Sequence, residues 1–230
     1  MTLNILFESF TRLRERCEFT EVRTMSEDPD YELGAVVPSG HWSQITTSLE
    51  HALAATPRTE DNILVEIVRP PDSAIAPPEG PETVYLGQAL GKPNMLTTTD
   101  NYPDGRRIGL HFDNWDKLSY ATKHTGRRRF AVNLGPGSRY IVLGFMDAQT
   151  VCRAVHRDYE QRHPHSDDLR RFVADGQAMA CLRIRLAPGE GYIVPTEFLP
   201  HDGSTEGLAV PSVAAFWLGR WPRGILPSVI

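Results

Sequence analysis

Cysteine is scarce in this chain. Cys17, Cys152 and Cys181 are the only three in 230 residues, and no two are close enough to form a CxxC pair. That excludes a disulfide-knit scaffold and a cysteine-ligated zinc module, and it fits a reducing compartment. Long apolar runs are missing too. No stretch approaches the roughly 20 apolar residues a membrane-spanning helix needs. The opening MTLNILFESFTRLRERC carries Glu8 inside its short apolar stretch, unlike a secretory signal. Neither charge dominates: 24 Lys and Arg stand against 29 Asp and Glu, a net charge of -5 with the signs interspersed. No global field therefore recruits nucleic acid or an anionic membrane. The basic runs Arg127-Arg128-Arg129 and Arg170-Arg171 read as solvated strand and helix edges. The expectation is a cytoplasmic protein whose partner is a small molecule, with no nucleic-acid or membrane partner. Oligomeric state leaves no trace in the sequence.

Familiar catalytic signatures are absent as well. LGPGSR lacks the lysine and Ser/Thr ending of a P-loop and reads as a hairpin turn. No Gly-x-Ser-x-Gly elbow appears, and Cys152 has no triad context.

What is present is a chain that changes character along its length. Leu3, Leu6, Phe7, Phe10 and Leu13 recur at helical spacing, and Ile45, Leu49 and Leu53 predict a second helix over 42–55 that Pro57 stops. The β-branched NILVEIV predicts a strand over 62–68, followed by a proline-rich loop over 69–82 that cannot sit inside a sheet. Further strands are expected over 83–86, 107–112, 128–133, 139–145, 180–186, 191–194 and 213–218. Turn signals at Pro103-Asp104-Gly105, Gly135-Pro136-Gly137 and Pro188-Gly189-Glu190-Gly191 separate several of them. Helical spacing returns over 151–162 and 167–174, which defines an insert at about 149–175 expected to cover the mouth of the site.

The pattern predicts one domain over 1–230, mainly β with flanking helices (α+β). Its core over 83–222 is expected to be a double-stranded β-helix, or jelly roll, with N-terminal helices in 1–60 buttressing one outer face.

The most informative stretch is His111-Phe112-Asp113. On a strand or its end, residues 111 and 113 project from one face. His201, 90 residues on (201 - 111), follows a Pro-Gly-Glu-Gly turn and a short apolar strand, so a returning strand can bring it to the same place. Two histidines and one carboxylate with positions left open are the donor set of non-haem Fe(II) oxygenases. Near them, Trp115 and Asp116 could line the mouth or support the metal ligands. Asn133 could hydrogen-bond a cosubstrate, whereas Asn114 is equally a turn residue. The cluster His156, His163 and His165 reads as a solvated helix end, and His41, His51 and His124 are isolated.

These residues resemble the 2-oxoglutarate-dependent Fe(II) dioxygenases of the cupin or jelly-roll superfamily. The resemblance rests on His111-Phe112-Asp113, His201 with its small neighbours Gly203 and Ser204, and Arg220 near the end of the last strand. It covers roughly residues 83–222 and is one of pattern. It implies a metal site of His111, Asp113 and His201, with Fe(II), 2-oxoglutarate and O2 as cofactor and cosubstrates. A basic residue would bind the far carboxylate of 2-oxoglutarate. Arg220 stands 19 residues after His201 (220 - 201), longer than the family spacing, so Arg129 and Arg139 are rivals on core strands. The implied reaction is oxidative decarboxylation to succinate coupled to hydroxylation or a related C–H oxidation. Asp113 fills the position that related halogenases leave small. Trp115, Arg107 and Phe112 are the expected substrate-side residues, and Arg106, Arg107 and Arg127 to Arg129 suggest an anionic or amino-acid-like substrate. Two other readings are a metal cupin without a 2-oxo acid, such as an isomerase or direct dioxygenase, and a non-catalytic jelly-roll module in which His111 and His201 never meet.

Overall fold

In the computed structural model, which describes residues 3–54, 64–71 and 77–230, the chain is mostly β and forms two sheets. In chain order the strands are Asn4–Leu6 (β1), Cys17–Met25 (β2), Tyr31–Pro38 (β3), Ser43–Gln44 (β4), Leu64–Val68 (β5), Val84–Gly91 (β6), Arg107–Gly109 (β7), Arg128–Pro136 (β8), Arg139–Gly144 (β9), Ala180–Leu186 (β10), Gly191–Val194 (β11), His201–Ser204 (β12) and Ser212–Gly219 (β13). The helices are Phe10–Arg16 (α1), Thr47–Ala54 (α2), Ala148–Val155 (α3) and Ser166–Ala174 (α4).

The first sheet runs β1-β5-β11-β8-β13-β6, antiparallel apart from the β1–β5 pair. The second runs β12-β9-β10-β2-β3-β7, with β4 set against β2; only β3–β7 is parallel. Two residues beyond β7, His111 pairs with His201 of β12, each backbone N–H donating to the other's carbonyl at 3.1 and 2.9 Å. That bridge brings the ends of the second sheet together, so it is nearly a closed barrel.

Strand alternation decides what lies between the sheets. Ala131, Tyr192 and Val194 of the first sheet meet Ile141, Leu143, Leu182 and Ile184 of the second in one apolar core. The intervening residues face outward. Val142 and Cys181 pack beneath Val151 of α3 and Leu169 and Phe172 of α4, each large side chain contributing about 1.5–3 kcal/mol of burial. On the outside of the first sheet, Phe130, Val132 and Ile193 are covered by Trp221 and Leu226 of the C-terminal segment. The insert therefore seals the back of the second sheet and does not roof the mouth. Its apolar stripe has a better partner in the outward-facing Val142 and Cys181.

The N-terminal part departs from the expected helices. Leu3 and Ile5 are both buried at strand spacing, and the helix begins only at Phe10, where Ser9 caps it by accepting from Arg12 N at 3.4 Å. Residues 17–25 and 31–38, unread in the sequence, are β2 and β3 and complete the second sheet. The second helix starts at Thr47 because Ser43 and Gln44 pair with β2 and Thr46 Oγ1 accepts from Leu49 N at 3.2 Å. Of the strand expected over 62–68 and the loop over 69–82, residues 62–63 and 72–76 lie outside the described residues, as does position 55 of the helix expected over 42–55. The strands expected over 83–86 and 213–218 extend to 91 and 219.

Candidate metal centre

Gly109 sets the geometry. Its φ is +70°, and a Cβ there would run into the Val36 carbonyl, so the chain leaves β7 against β3 as only glycine allows. The next residues are stitched down one by one. Leu110 N donates to Val36 O at 2.7 Å, His111 pairs with His201, and Asp113 N donates to Thr196 O at 3.0 Å. Alternation then sends Leu110 and Phe112 into the outer apolar cluster and His111 and Asp113 inward.

The ligand atoms offered by His111, Asp113 and His201 all lie within 4.8 Å of one another, and the three side chains are buried. The imidazole rings are 4.4 Å apart between centroids. His111 Nδ1 lies 2.8 Å from Gly109 O and His201 Nδ1 3.4 Å from Leu199 O. A carbonyl only accepts, so each Nδ1 is the donor, and it is Nε2 whose lone pair the neutral ring offers to a metal. Burial, then the neighbouring His111, pushes His201 well below the usual histidine range, Asp113 pulling weakly the other way, so this ring is neutral. Burial alone would raise Asp113, but the Arg129 guanidinium and the two histidines hold its carboxyl at about 2. Neutral imidazole and ionised carboxylate are the protonation states a dication requires.

Among the described residues, His201 Nε2 and Asp113 Oδ2 are buried without a hydrogen-bond partner. Such orphans cost about 1–3 kcal/mol each, and a metal ion held between them satisfies both. The donor set thus fits a hard divalent ion.

A second layer supports these ligands. Arg129 on β8 donates from Nη2 to Asp113 Oδ1 at 2.7 Å, with Oδ2 equally close at 2.7 Å but out of line for a bond. Lys123, buried beneath the loop after Asp113, donates to Glu197 Oε2 at 2.9 Å and to Asp113 O and Asn114 Oδ1 at 3.3 Å each. Glu197 Oε1 in turn accepts from Asp116 N at 2.9 Å.

Beside the metal ligands lies a cavity of about 130 Å³, lined among others by His201, Arg129, Arg139, Tyr192, Thr98 and Phe216. Arg139 on β9 is 5 % exposed, and its Nη1 has no partner. Its one hydrogen bond is a long one, 3.5 Å from Nη2 to Thr98 Oγ1, and it makes no ion pair among the described residues. Burial lowers its pKa, with Tyr192 and Asp202 opposing. Gly203 makes room for it, since a Cβ there would sit 2.6 Å from Arg139 Nη2. Asp202, fully buried, accepts at Oδ1 from Thr99 N at 3.0 Å, Thr99 Oγ1 at 2.7 Å and Gly203 N at 2.6 Å, pinning the 98–100 segment to the cavity wall. Burial pushes its carboxyl up to about 6. A larger groove of about 400 Å³, lined by Phe145, Met146, Thr150 and Met179 among others, contains none of these residues.

The structure thus brings together His111, Asp113, His201, Arg129 and Arg139, and sets the other expected residues elsewhere. Arg220 is exposed at the surface, donating to Glu82 Oε2 at 3.2 Å and to Thr125 O at 2.8 Å. The Asn133 amide is occupied by the turn after it, with Gly137 O at 2.9 Å, Leu186 O at 3.2 Å and Gly135 N at 3.0 Å. Arg107 is paired with Asp30 at 2.9 Å over the Tyr31 ring, Phe112 is core, and Trp115 stands 55 % exposed on the loop. His156 tethers Asp168 across α3 and α4 at 2.8 Å, and His165 caps α4. Sequence reasoning missed Tyr192, Thr98, Asp202 and the Lys123–Glu197 pair. For Asp202 a signal existed in its place beside His201.

No protein-family model matches the chain, and no curated protein matches its sequence. A mostly-β chain with a nearly closed sheet and a buried His-Asp-His group able to bind a metal ion is compatible with a cupin or 2-oxoglutarate-oxygenase type of site. No described helix is long and apolar enough to cross a membrane.

Proposed function

We propose that this protein is an Fe(II)- and 2-oxoglutarate-dependent oxygenase acting on a small molecule. The observation that carries the reading is the pairing of two features in one buried place. Unpartnered ligand atoms of His201 and Asp113 converge there, and the cavity beside them holds an arginine, Arg139, that makes no ion pair among the described residues, Asp202 acting on it only at longer range. A buried guanidinium without a contacting carboxylate is costly, and a bound carboxylate relieves it.

The fold supports the same reading as a jelly roll. Strands β6, β13, β8 and β11 pair antiparallel in one sheet, facing β12, β9 and β10 and the His111 bridge in the other. Neighbours far apart in sequence and two facing sheets are what a jelly roll requires.

In this account His111 Nε2, His201 Nε2 and one Asp113 oxygen hold Fe(II), which with a bound 2-oxo acid supplies dioxygen activation. The overall balance is 2-oxoglutarate + O2 + R–H giving succinate + CO2 + R–OH. The chain's own part is placement. Arg139 takes the far carboxylate of 2-oxoglutarate, and the Tyr192 phenol reaches the same cavity. Ile141 and Phe216 form apolar walls that limit water around the reacting end. The volume, about 130 Å³, is below the roughly 300–1,000 Å³ of drug-sized sites and suits one small dicarboxylate. Asp113 occupies the position a halide would need, which favours oxygen insertion. Arg106, Arg107 and Arg127 face Asp104, Asp30 and Asp116, so they do not set the charge of the substrate.

Two observations weigh against the other readings. Arginines reach the cavity, which a cupin without a 2-oxo acid does not need. The histidines meet, which a non-catalytic module does not need. The test is anaerobic addition of Fe(II) and then 2-oxoglutarate. The weak visible charge-transfer band of a chelated 2-oxo acid is expected, and iron-loaded protein without that band would overturn the proposal.

A further inference from the structure

Arg127, Arg128 and Arg129 are the strongest basic run in the chain, yet each faces a different acid. Arg127 pairs with Asp116 at 2.6 Å on the loop after the metal ligands. Arg128 points to the other side of β8, pairs with Glu66 at 2.7 Å and donates to Leu64 O at 3.0 Å, tying three strands of the first sheet together. Arg129 alone turns toward the metal ligands. Its side chain is 13 % exposed and its bond goes to Asp113, while its Nε is buried without a partner among the described residues.

We infer that Arg129 is the positioning residue that fixes Asp113 as a one-oxygen metal ligand, and that it is not the cosubstrate anchor. The inference rests on the metal-site reading above. Arg129 and Arg139 line the same cavity, but their commitments differ. Arg129 already has a carboxylate at 2.7 Å, whereas Arg139 has none. The roles divide accordingly.

The division has a chemical consequence. Asp113 has two oxygens: Oδ1 receives the Arg129 hydrogen bond, while Oδ2, equally close to the same nitrogen at 2.7 Å, is out of line for one and has no hydrogen-bond partner among the described residues. With Oδ1 engaged, Oδ2 is the oxygen left without a partner and free for a metal. Two imidazoles and one oxygen leave three positions of an octahedral ion free, enough for a two-point chelator and one further molecule. Two-oxygen ligation by Asp113 would leave only two.

Arg129 also repels a dication. The Asp113 carboxylate would stand between a bound dication and the guanidinium and offset that repulsion. Without the guanidinium, a buried carboxylate loses the closest ion-pair partner it has among the described residues, and with it a fixed orientation. Outer-shell partners of metal ligands are worth 10- to 100-fold in affinity. Orientation therefore outweighs repulsion.

The test uses the whole protein without 2-oxoglutarate, titrated anaerobically with Fe(II) alone, and with Mn(II) as a redox-inert check. Arg129→Met is expected to weaken the metal Kd by about 10- to 100-fold, and Arg129→Lys by less, because an ammonium still bonds the carboxylate. In metal-saturated Arg129→Lys, the 2-oxoglutarate Kd should stay within about threefold of the parent, far from the roughly 10- to 100-fold loss that removing a charged hydrogen-bond anchor gives. An unchanged or tighter metal Kd in both variants overturns the inference, as does intact metal binding with lost 2-oxoglutarate binding. If Arg129→Met fails to fold, Arg129→Lys alone decides by the same two constants. If the parent protein binds no metal, the functional reading falls and takes this inference with it. Loss confined to the Arg129 variants' behaviour leaves that reading standing.

Discussion

Replacing Lys123 by Met probes the support beneath the site. The Lys123 and Glu197 side chains are both 0 % exposed and paired at 2.9 Å. Lys123 also donates to Asp113 O and Asn114 Oδ1, and Glu197 accepts from Asp116 N, so the pair binds the chain just after the metal ligand to the 195–200 segment. Removing one member of a buried pair leaves the other charge uncompensated, at a cost of about 3–5 kcal/mol. Against a total stability of about 5–15 kcal/mol that is a large fraction. It corresponds to roughly two to three and a half powers of ten in the folding constant at about 1.4 kcal/mol each.

Urea denaturation followed by tryptophan fluorescence should show the midpoint falling by about 1–2 M for an m-value of about 2–3 kcal/mol/M. The double variant Lys123→Met/Glu197→Gln should recover more than half of that loss. It removes the stranded charge, and the Gln carbonyl can still accept from Asp116 N. Metal affinity should fall in the single variant, because the Asp113 carbonyl loses its tether. A single-variant shift below about 0.3 M, or a double variant no more stable than the single, would refute the reasoning.

Other perturbations read other parts of the account. Gly203→Ala puts a methyl group where the Arg139 guanidinium lies, 2.6 Å from Nη2, so 2-oxoglutarate binding should weaken by about 10- to 100-fold while the metal Kd barely moves. Titrations with metal and with 2-oxoglutarate separate the two. Glu190 supplies the pH dependence. Burial pushes its carboxyl up, but Arg16, Ala187 N–H and Arg69 hold it below the usual 4.5. A lowered folded-state value means that its stabilisation is present above the unfolded-state value and lost as pH falls through the folded-state one. Glu190→Gln should therefore cost more stability at pH 7 than at about pH 3, as urea midpoints at the two pH values would show.

The metal ligands were legible because the signal is local. A His-x-Asp on an extended segment shares one face whatever the rest of the chain does, and glycine and proline turns marked most of the later strands. What stayed hidden depends on distant partners. Residues 17–25 interleave Glu18, Glu21 and Arg23 with apolar residues and are only partly buried, and residues 31–38 are interrupted by Gly34. Nothing local says that they belong beside β10 and β7. Choosing among Arg129, Arg139 and Arg220 needed to know which acids they meet: Asp113 for the first, none for the second, Glu82 for the third. The arginine run looked like a solvated edge for the same reason. Lys123 and Glu197 are 74 residues apart, and no spacing rule pairs them.

The central claim is that His111, Asp113 and His201 hold one divalent metal ion. Anaerobic calorimetric titration of the whole protein with Fe(II) tests it most directly, run beside Asp113→Ala and His201→Ala. The account predicts one equivalent bound by the parent protein, with binding abolished or drastically weakened in both variants, since each loses an unpartnered ligand atom. No stoichiometric binding by the parent, or full retention in both variants, would contradict it.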